Sequence, residues 1–169
     1  GLPDTLKKIA QIPFHTILTV SPDLLMKSAF EELNIKHQFA YHKKKSEPQA
    51  IEMPEKKNPF VYNMFGSVAD HESLVLTHED MFSYLESIFG RNTLPEKLKS
   101  ALVKAENLIF LGVPFDKWYM QLLLRLLDVN DDSLRFAANE ILSEDARTFY
   151  VDQFKMDFVN NEFTEFANE

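Results

Sequence analysis

The chain has 169 residues, 45% of them hydrophobic and 26% charged, an ordinary globular balance with enough length for one domain with a real core. Its formal net charge of -8 is a poor footprint for a nucleic-acid binder, because phosphate contacts need clustered Lys and Arg. It has no cysteine, which excludes disulfides, thiol catalysis and thiolate metal sites, a Cys-x-x-Cys zinc ribbon included. No apolar run approaches the ~20 residues that span a bilayer, and no signal peptide is visible. Neither nucleic acid nor membrane is expected as a partner, and a cytoplasmic location is expected. Fifteen phenylalanines predict an aromatic-rich core. The chain starts Gly-Leu-Pro rather than with Met, so Gly1 reads as an expression scar and the chain as a piece of something longer.

In chain order, residues 3–11 read as a helix with Leu6, Ile9 and Ala10 on one side. Residues 14–20 form a β-branched and aromatic strand. Ser21-Pro22-Asp23 then reads as a helix start, with Ser at the cap, Pro in the first position and Asp in the first turn. That helix runs to about Leu33. Residues 36–41 are a second strand. Residues 42–57 are charged, hold two prolines and read as an exposed loop. Residues 60–64 are a third strand. Thr77 with Asp80, and Thr93 with Glu96, look like capping boxes for helices ending at Phe89 and Ala105. A short apolar strand over 108–111 ends at Gly112. Asp116 is expected to cap a helix to Leu127. A strand over 133–138, a helix capped by Ser143, a strand over 156–159 and a helix over 162–167 complete the chain.

Short apolar strands alternating with helices predict parallel pairing through helical crossovers. The expected fold class is α/β: a single three-layer, Rossmann-like domain with a mainly parallel sheet flanked by helices. Residues 14–20, 60–64 and 108–111 are expected as inner strands. Such sheets bind ligands at the carboxyl ends of their strands. The segments ending Val20-Ser21, Phe65-Gly66 and Leu111-Gly112 are expected to meet there.

Asn58 to Thr77 reads Asn-Pro-Phe-Val-Tyr-Asn-Met-Phe-Gly-Ser-Val-Ala-Asp-His-Glu-Ser-Leu-Val-Leu-Thr. It resembles the segment around the catalytic histidine of sirtuin-like domains: Leu-His-Gly-Ser, a short acidic loop, then Leu-Val-Leu-Thr leading into a helix. Three further segments are similar to the family. Residues 17–25 correspond to its Thr-Thr-Asn-Tyr-Asp strand end, with Asp23 matching and Ser21 at the Asn position. Residues 108–116 correspond to the strand ending in Gly-Tyr-Ser-Leu-Ser-Asp. Residues 149–166 are similar to the closing strand and helix. The resemblance implies a nicotinamide–ribose contact near Ser21, Asp23, Phe65 and Gly66, and an adenosine contact near Gly112 and Val113. It also implies two departures. The histidine position holds Phe65, a ring that cannot accept a proton. No Gly-x-Gly run supplies the loop that holds the NAD phosphates.

Each of these residues has a purely structural alternative. Ser21-Pro22-Asp23 is fully explained as a helix N-terminus. Gly112 either admits a ligand or frees a turn. Phe65 is most simply a pocket-filling aromatic. His71-Glu72 and His78-Glu79-Asp80 lack the spacing of metal ligands, so no metal is expected. Lys43-Lys44-Lys45 has Glu residues nearby and reads as a charged loop. The carboxylate pairs Glu31-Glu32, Asp131-Asp132 and Glu144-Asp145 are sequence neighbours that do not converge on one substrate.

The resemblance therefore implies a non-enzymatic binding or assembly module of a larger bacterial protein, with no cofactor. Full members of the broader family often hydrolyse NAD, and several bacterial ones work in phage defence. The alternative is an NAD-binding or NAD-cleaving domain whose phosphate loop lies outside this chain. A third reading is an unrelated Rossmann-like enzyme. The apolar helix over 118–127 reads first as a core helix. Where the helix over 3–11 does not cover the open sheet edge, a homodimer or a neighbouring domain is expected on the helix over 118–127 and on Phe154, Phe158, Phe163 and Phe166.

Overall fold

The computed structural model describes residues 2–90, 93–127, 132–138 and 142–159. They divide into two compact units, residues 1–101 and 102–169. Each contains a three-stranded, wholly parallel sheet. The fold is α/β, with parallel sheets and flanking helices in a Rossmann-like arrangement.

In the first unit, α1 (Asp4–Gln11), β1 (Thr16–Thr19), α2 (Leu25–Glu32), β2 (Gln38–Tyr41) and β3 (Phe60–Asn63) follow in order. A 3-10 turn (His71–Ser73), α3 (His78–Phe89) and α4 (Glu96–Val103) come next. The sheet order is β1-β3-β2, so the last strand in sequence lies in the middle. Thr16 pairs with Phe60 on one side of β3 and Gln38 with Phe60 on the other. All four residues of β3 are buried. A strand flanked on both sides and covered on both faces has no polar face, which is why Phe60-Val61-Tyr62 does not alternate. Burying side chains of this size contributes about 1.5–3 kcal/mol each. The parallel step from β2 to β3 uses residues 42–59 without a helix. That loop runs past the open edge of β2. Gln38 there accepts from Glu52 N–H at 2.7 Å through its side-chain oxygen, so a side chain supplies contact where a further strand is missing.

The second unit holds β4 (Asn107–Leu111), α5 (Trp118–Leu127), β5 (Leu134–Ala138), α6 (Glu144–Phe154) and β6 (Met156–Val159), with sheet order β4-β5-β6. Phe115 is its aromatic hub. Its ring lies 4.9 Å from Tyr150 and 5.8 Å from Phe158, and its carbonyl accepts from Tyr150 Oη at 2.6 Å. The buried Arg135 donates to the carbonyl of Phe154 at 2.8 Å, placing a cation at the negative end of α6.

All six expected strands and six of the seven expected helices are present; the seventh, over 162–167, lies outside the described residues. Of the three strands expected to be inner, only β3 is flanked twice within its own sheet, while β1 and β4 each pair with one strand there. The capping box at Thr77 and Asp80 forms in full, and Ser143 accepts from Ala146 N–H. Other starts shift. α2 begins at Leu25, two residues past Asp23, and α5 at Trp118, two past Asp116. Asp116 instead pairs with Lys117 at 2.9 Å. Met120, Leu123 and Leu124 bury one side of α5, and Trp118 and Leu122 stay exposed. Phe154, expected as contact surface, is buried in its own unit. Phe163 and Phe166 lie outside the described residues.

Candidate functional site

In the first unit the carboxyl ends of the strands carry Thr19, Tyr41 and Asn63, followed by the loops holding Ser21, Asp23, Phe65 and Gly66. Asn63 is 1% exposed and connects them. Its Nδ2 donates to the Asp23 carbonyl at 2.7 Å, and its Oδ1 lies 2.9 Å from Thr19 Oγ1. The same Thr19 hydroxyl lies 2.8 Å from the Ser21 carbonyl. The Asp23 carboxylate accepts from Ser21 Oγ and, at 2.8 Å, from Leu25 N–H. Ser21 and Asp23 are thus brought together and are both used locally. Asp23 supplies an Asx-type turn ahead of α2, not a residue of its first turn.

The loop after β3 folds back on itself. Gly66 has φ +85°, and a Cβ there would lie 2.2 Å from the Ser73 carbonyl oxygen. Ser73 Oγ accepts from Ser67 N–H at 2.9 Å and donates to the Asp70 carbonyl at 2.6 Å. Val68 N–H donates to the Pro22 carbonyl at 2.9 Å, and Tyr41 Oη donates to Asp70 Oδ2 at 3.1 Å. These bonds fix the loop against both neighbouring strands.

Beneath it lies a group that the sequence did not flag. His42 is 2% exposed, not part of an exposed loop. Its Nδ1 is 3.3 Å from Tyr62 Oη and its Nε2 is 3.0 Å from Ser87 Oγ. A neutral imidazole donates from one nitrogen and accepts at the other, and two hydroxyls satisfy either tautomer. Desolvation pushes the ring down to about 4. Tyr84 meets His42 edge-on at 5.0 Å and Phe65 edge-on at 5.1 Å. Burial raises the phenol of Tyr84 well above its ordinary range, and that of Tyr62 upward as well. Phe65, 8% exposed, is therefore one wall of an aromatic and imidazole cluster. The signal was the strand period: Ala40 and His42 share a side of β2, and His42 N–H continues the ladder to the Asn63 carbonyl at 2.9 Å.

Lys44, from the lysine run, donates to the Leu74 carbonyl at 2.8 Å and to Asp80 Oδ1 at 3.0 Å. That lysine and the capping hydrogen bonds hold the Asp80 carboxyl well below the usual carboxylate range. Among the described residues, no group of three or more His, Asp or Glu is placed to hold a metal.

In the second unit, Gly112 follows β4 with φ +59°, and a Cβ there would meet no heavy atom within 4 Å. Gly112 is exposed and Val113 half-buried. An open groove of about 570 Å³ is lined by Arg147, Val151, Lys155, Met156, Asp157 and Phe158, and includes neither residue.

Against known families, residues 15–153 match the SIR2-like domain. The chain belongs to the SIR2-like domain family. The match spans three of the resembling segments in full and reaches the start of the fourth. No curated protein matches the chain. Among the described residues of this SIR2-like chain, no helix is long and apolar enough to cross a membrane.

Proposed function

We propose that this SIR2-like chain is a non-enzymatic binding or assembly module, a part of a larger bacterial protein of the kind used in phage defence. Phe65 is the observation that carries the reading. By the resemblance of residues 58–77 it stands at the family's histidine position; its ring is buried edge-on against Tyr84, and a phenyl ring has no group for proton transfer. The loop geometry supports the same reading. The place a side chain would take at Gly66 is filled by the Ser73 carbonyl, and Ser21 and Asp23 bond to each other and to the backbone. NAD is accordingly not expected as a resident cofactor. The competing reading, an NAD-binding or NAD-cleaving domain completed by a phosphate loop elsewhere, rests on family membership and on the open space at Gly112.

Titration calorimetry with NAD, and chromatography of nicotinamide released from it, separate the two. The module reading expects no micromolar binding and no release above a protein-free blank. Either signal overturns it. Phe65→His is expected to stay inactive, because one imidazole does not rebuild substrate positioning.

A further inference from the structure

β6 is an edge strand. It pairs with β5 on one side, and among the described residues no backbone hydrogen bond joins it to anything else. The open edge of β2 is treated differently: its own loop comes alongside, and Gln38 takes the Glu52 N–H. Beside β6 lies instead the open groove of about 570 Å³. One wall is α6, where Arg147 and Val151 stand four residues apart on a single line of the helix. The other wall is the strand itself. Met156 and Phe158 share one side of it, and Asp157, the groove's carboxylate, alternates to the other. Lys155 lines the far end. Val151 is 44% exposed, and Arg147 and Phe158 are half-buried. The Arg147 guanidinium lies 5.1 Å from the centre of the Phe158 ring and, among the described residues, takes part in no ion pair. That cation lacks a carboxylate in a chain with 26 acidic and 18 basic residues.

A strand edge specifies the backbone of what it binds. Its outward N–H and C=O groups take an extended chain about 4.8 Å further out, and every second side chain of that chain points into the groove. The spacing of the helix wall then specifies side chains. Four residues of helix span about 6 Å, and two residues of strand about 6.7 Å. Two groove-facing residues at i and i+2 of an added strand therefore meet Arg147 and Val151 together.

We propose that this groove receives an extended segment of another polypeptide as a fourth strand beside β6, with a carboxylate against Arg147 and an apolar side chain two residues away on Val151. The proposal rests on the module reading and names the partner's chemistry. A helix does not fit the role, because its backbone groups are satisfied internally. A second copy is a poor occupant, because pairing β6 with its own image brings the two Arg147 lines to one seam, like charge on like.

Fluorescence anisotropy with the full chain tests it, using a labelled octapeptide Thr-Val-Thr-Glu-Thr-Val-Thr-Thr. This peptide is expected to bind, and the same peptide with Lys in place of Glu is not. Methylating one alternate set of its backbone amides should abolish binding, and methylating the complementary set should leave it, because only one side of an added strand pairs. Arg147→Glu should transfer the preference to the Lys peptide. Val151→Asp should weaken binding by more than about tenfold, the loss typical of a central apolar anchor. Leu76→Ser, at an exposed position in the first unit, should leave it unchanged. Circular dichroism confirms that each variant folds; if Arg147→Glu does not, the methylated peptides and Val151→Asp decide. Failure of the Glu peptide to bind, an equal effect of both methylated sets, or no transfer of preference by a folded Arg147→Glu each overturns the proposal. So does a dimer in light scattering that Val151→Asp dissolves. A tenfold gain in peptide binding on Phe163→Asp with Phe166→Asp would name the chain's own end as the occupant, and overturns it too. NAD binding in calorimetry bears on the module reading and leaves the peptide result untouched, so the two fail separately.

Discussion

Gly66 and Gly112 both follow a parallel strand and both have positive φ, yet they occupy opposite environments. At Gly66 the missing Cβ makes room for the chain itself: the Ser73 carbonyl fills the place a side chain would take. At Gly112 that place is empty, and the loop is anchored three residues later by the buried Phe115. Glycine at a strand end is thus two different devices. One permits backbone packing, and the other only permits a turn. Sequence alone gives the same letter for both. The difference also separates the two glycines by packing: the Cβ place at Gly66 is filled by its own loop, and that at Gly112 is empty.

Alanine at Gly66 is the hardest test of that contrast. The substitution combines an unfavourable φ with a Cβ 2.2 Å from a backbone oxygen that is itself held in the Ser67–Ser73 hydrogen-bonded loop. A cost of about 4 kcal/mol is expected, at the upper end for a single change. Urea unfolding followed by circular dichroism measures it. A midpoint within error of the parent would mean that the loop yields easily, and the contrast with Gly112 would collapse.

Acid sharpens the comparison, because the closed loop sits above His42. The folded ring titrates at about 4, below the ~6.5 of a free imidazole. Between those values the unfolded chain binds the extra proton. The stability linked to His42 is therefore complete above about pH 6.5 and lost as pH falls toward 4. The shift corresponds to about 3 kcal/mol. Hydrogen exchange at pH 7, 5 and 4 should show residues 60–89 losing protection over this range. His42→Gln, which keeps a donor and an acceptor without a titrating proton, should flatten the pH dependence above pH 4.5. An unchanged acid slope in that variant would show that other groups set it.

How much is legible in the sequence depends on the range of the interaction. Strands announce themselves by apolar runs of a few residues, and Thr77 with Asp80 bond across three positions, so both are legible. Ser21-Pro22-Asp23 misleads because Asn63, forty residues away from Asp23, takes the Asp23 carbonyl and fixes the turn ahead of the helix. His42 reads as loop for a similar reason: its partners Tyr62 and Ser87 are 20 and 45 residues distant. Phe65 is legible as a ring without a titrating nitrogen, but not as a wall of that cluster. The division into two units, falling inside α4, leaves no mark in composition.

The smallest expected effect belongs to Gly112. With φ +59° and no heavy atom within 4 Å of the place a Cβ would take, alanine there meets only the left-handed backbone penalty. That penalty is about 1–2 kcal/mol, offset in part by the lower entropy of the unfolded alanine chain. Asparagine tolerates this conformation better, so Gly112→Asn should recover most of the loss. At Gly66 the same asparagine should recover nothing, because its Cβ meets the same carbonyl oxygen as alanine's. The comparison therefore reduces to four urea midpoints. If asparagine helps equally at both positions, backbone conformation alone governs both glycines and the close approach of Ser73 carries no weight. If it helps only at Gly112, the loop after β3 is closed by packing and the loop after β4 is held open by conformation alone.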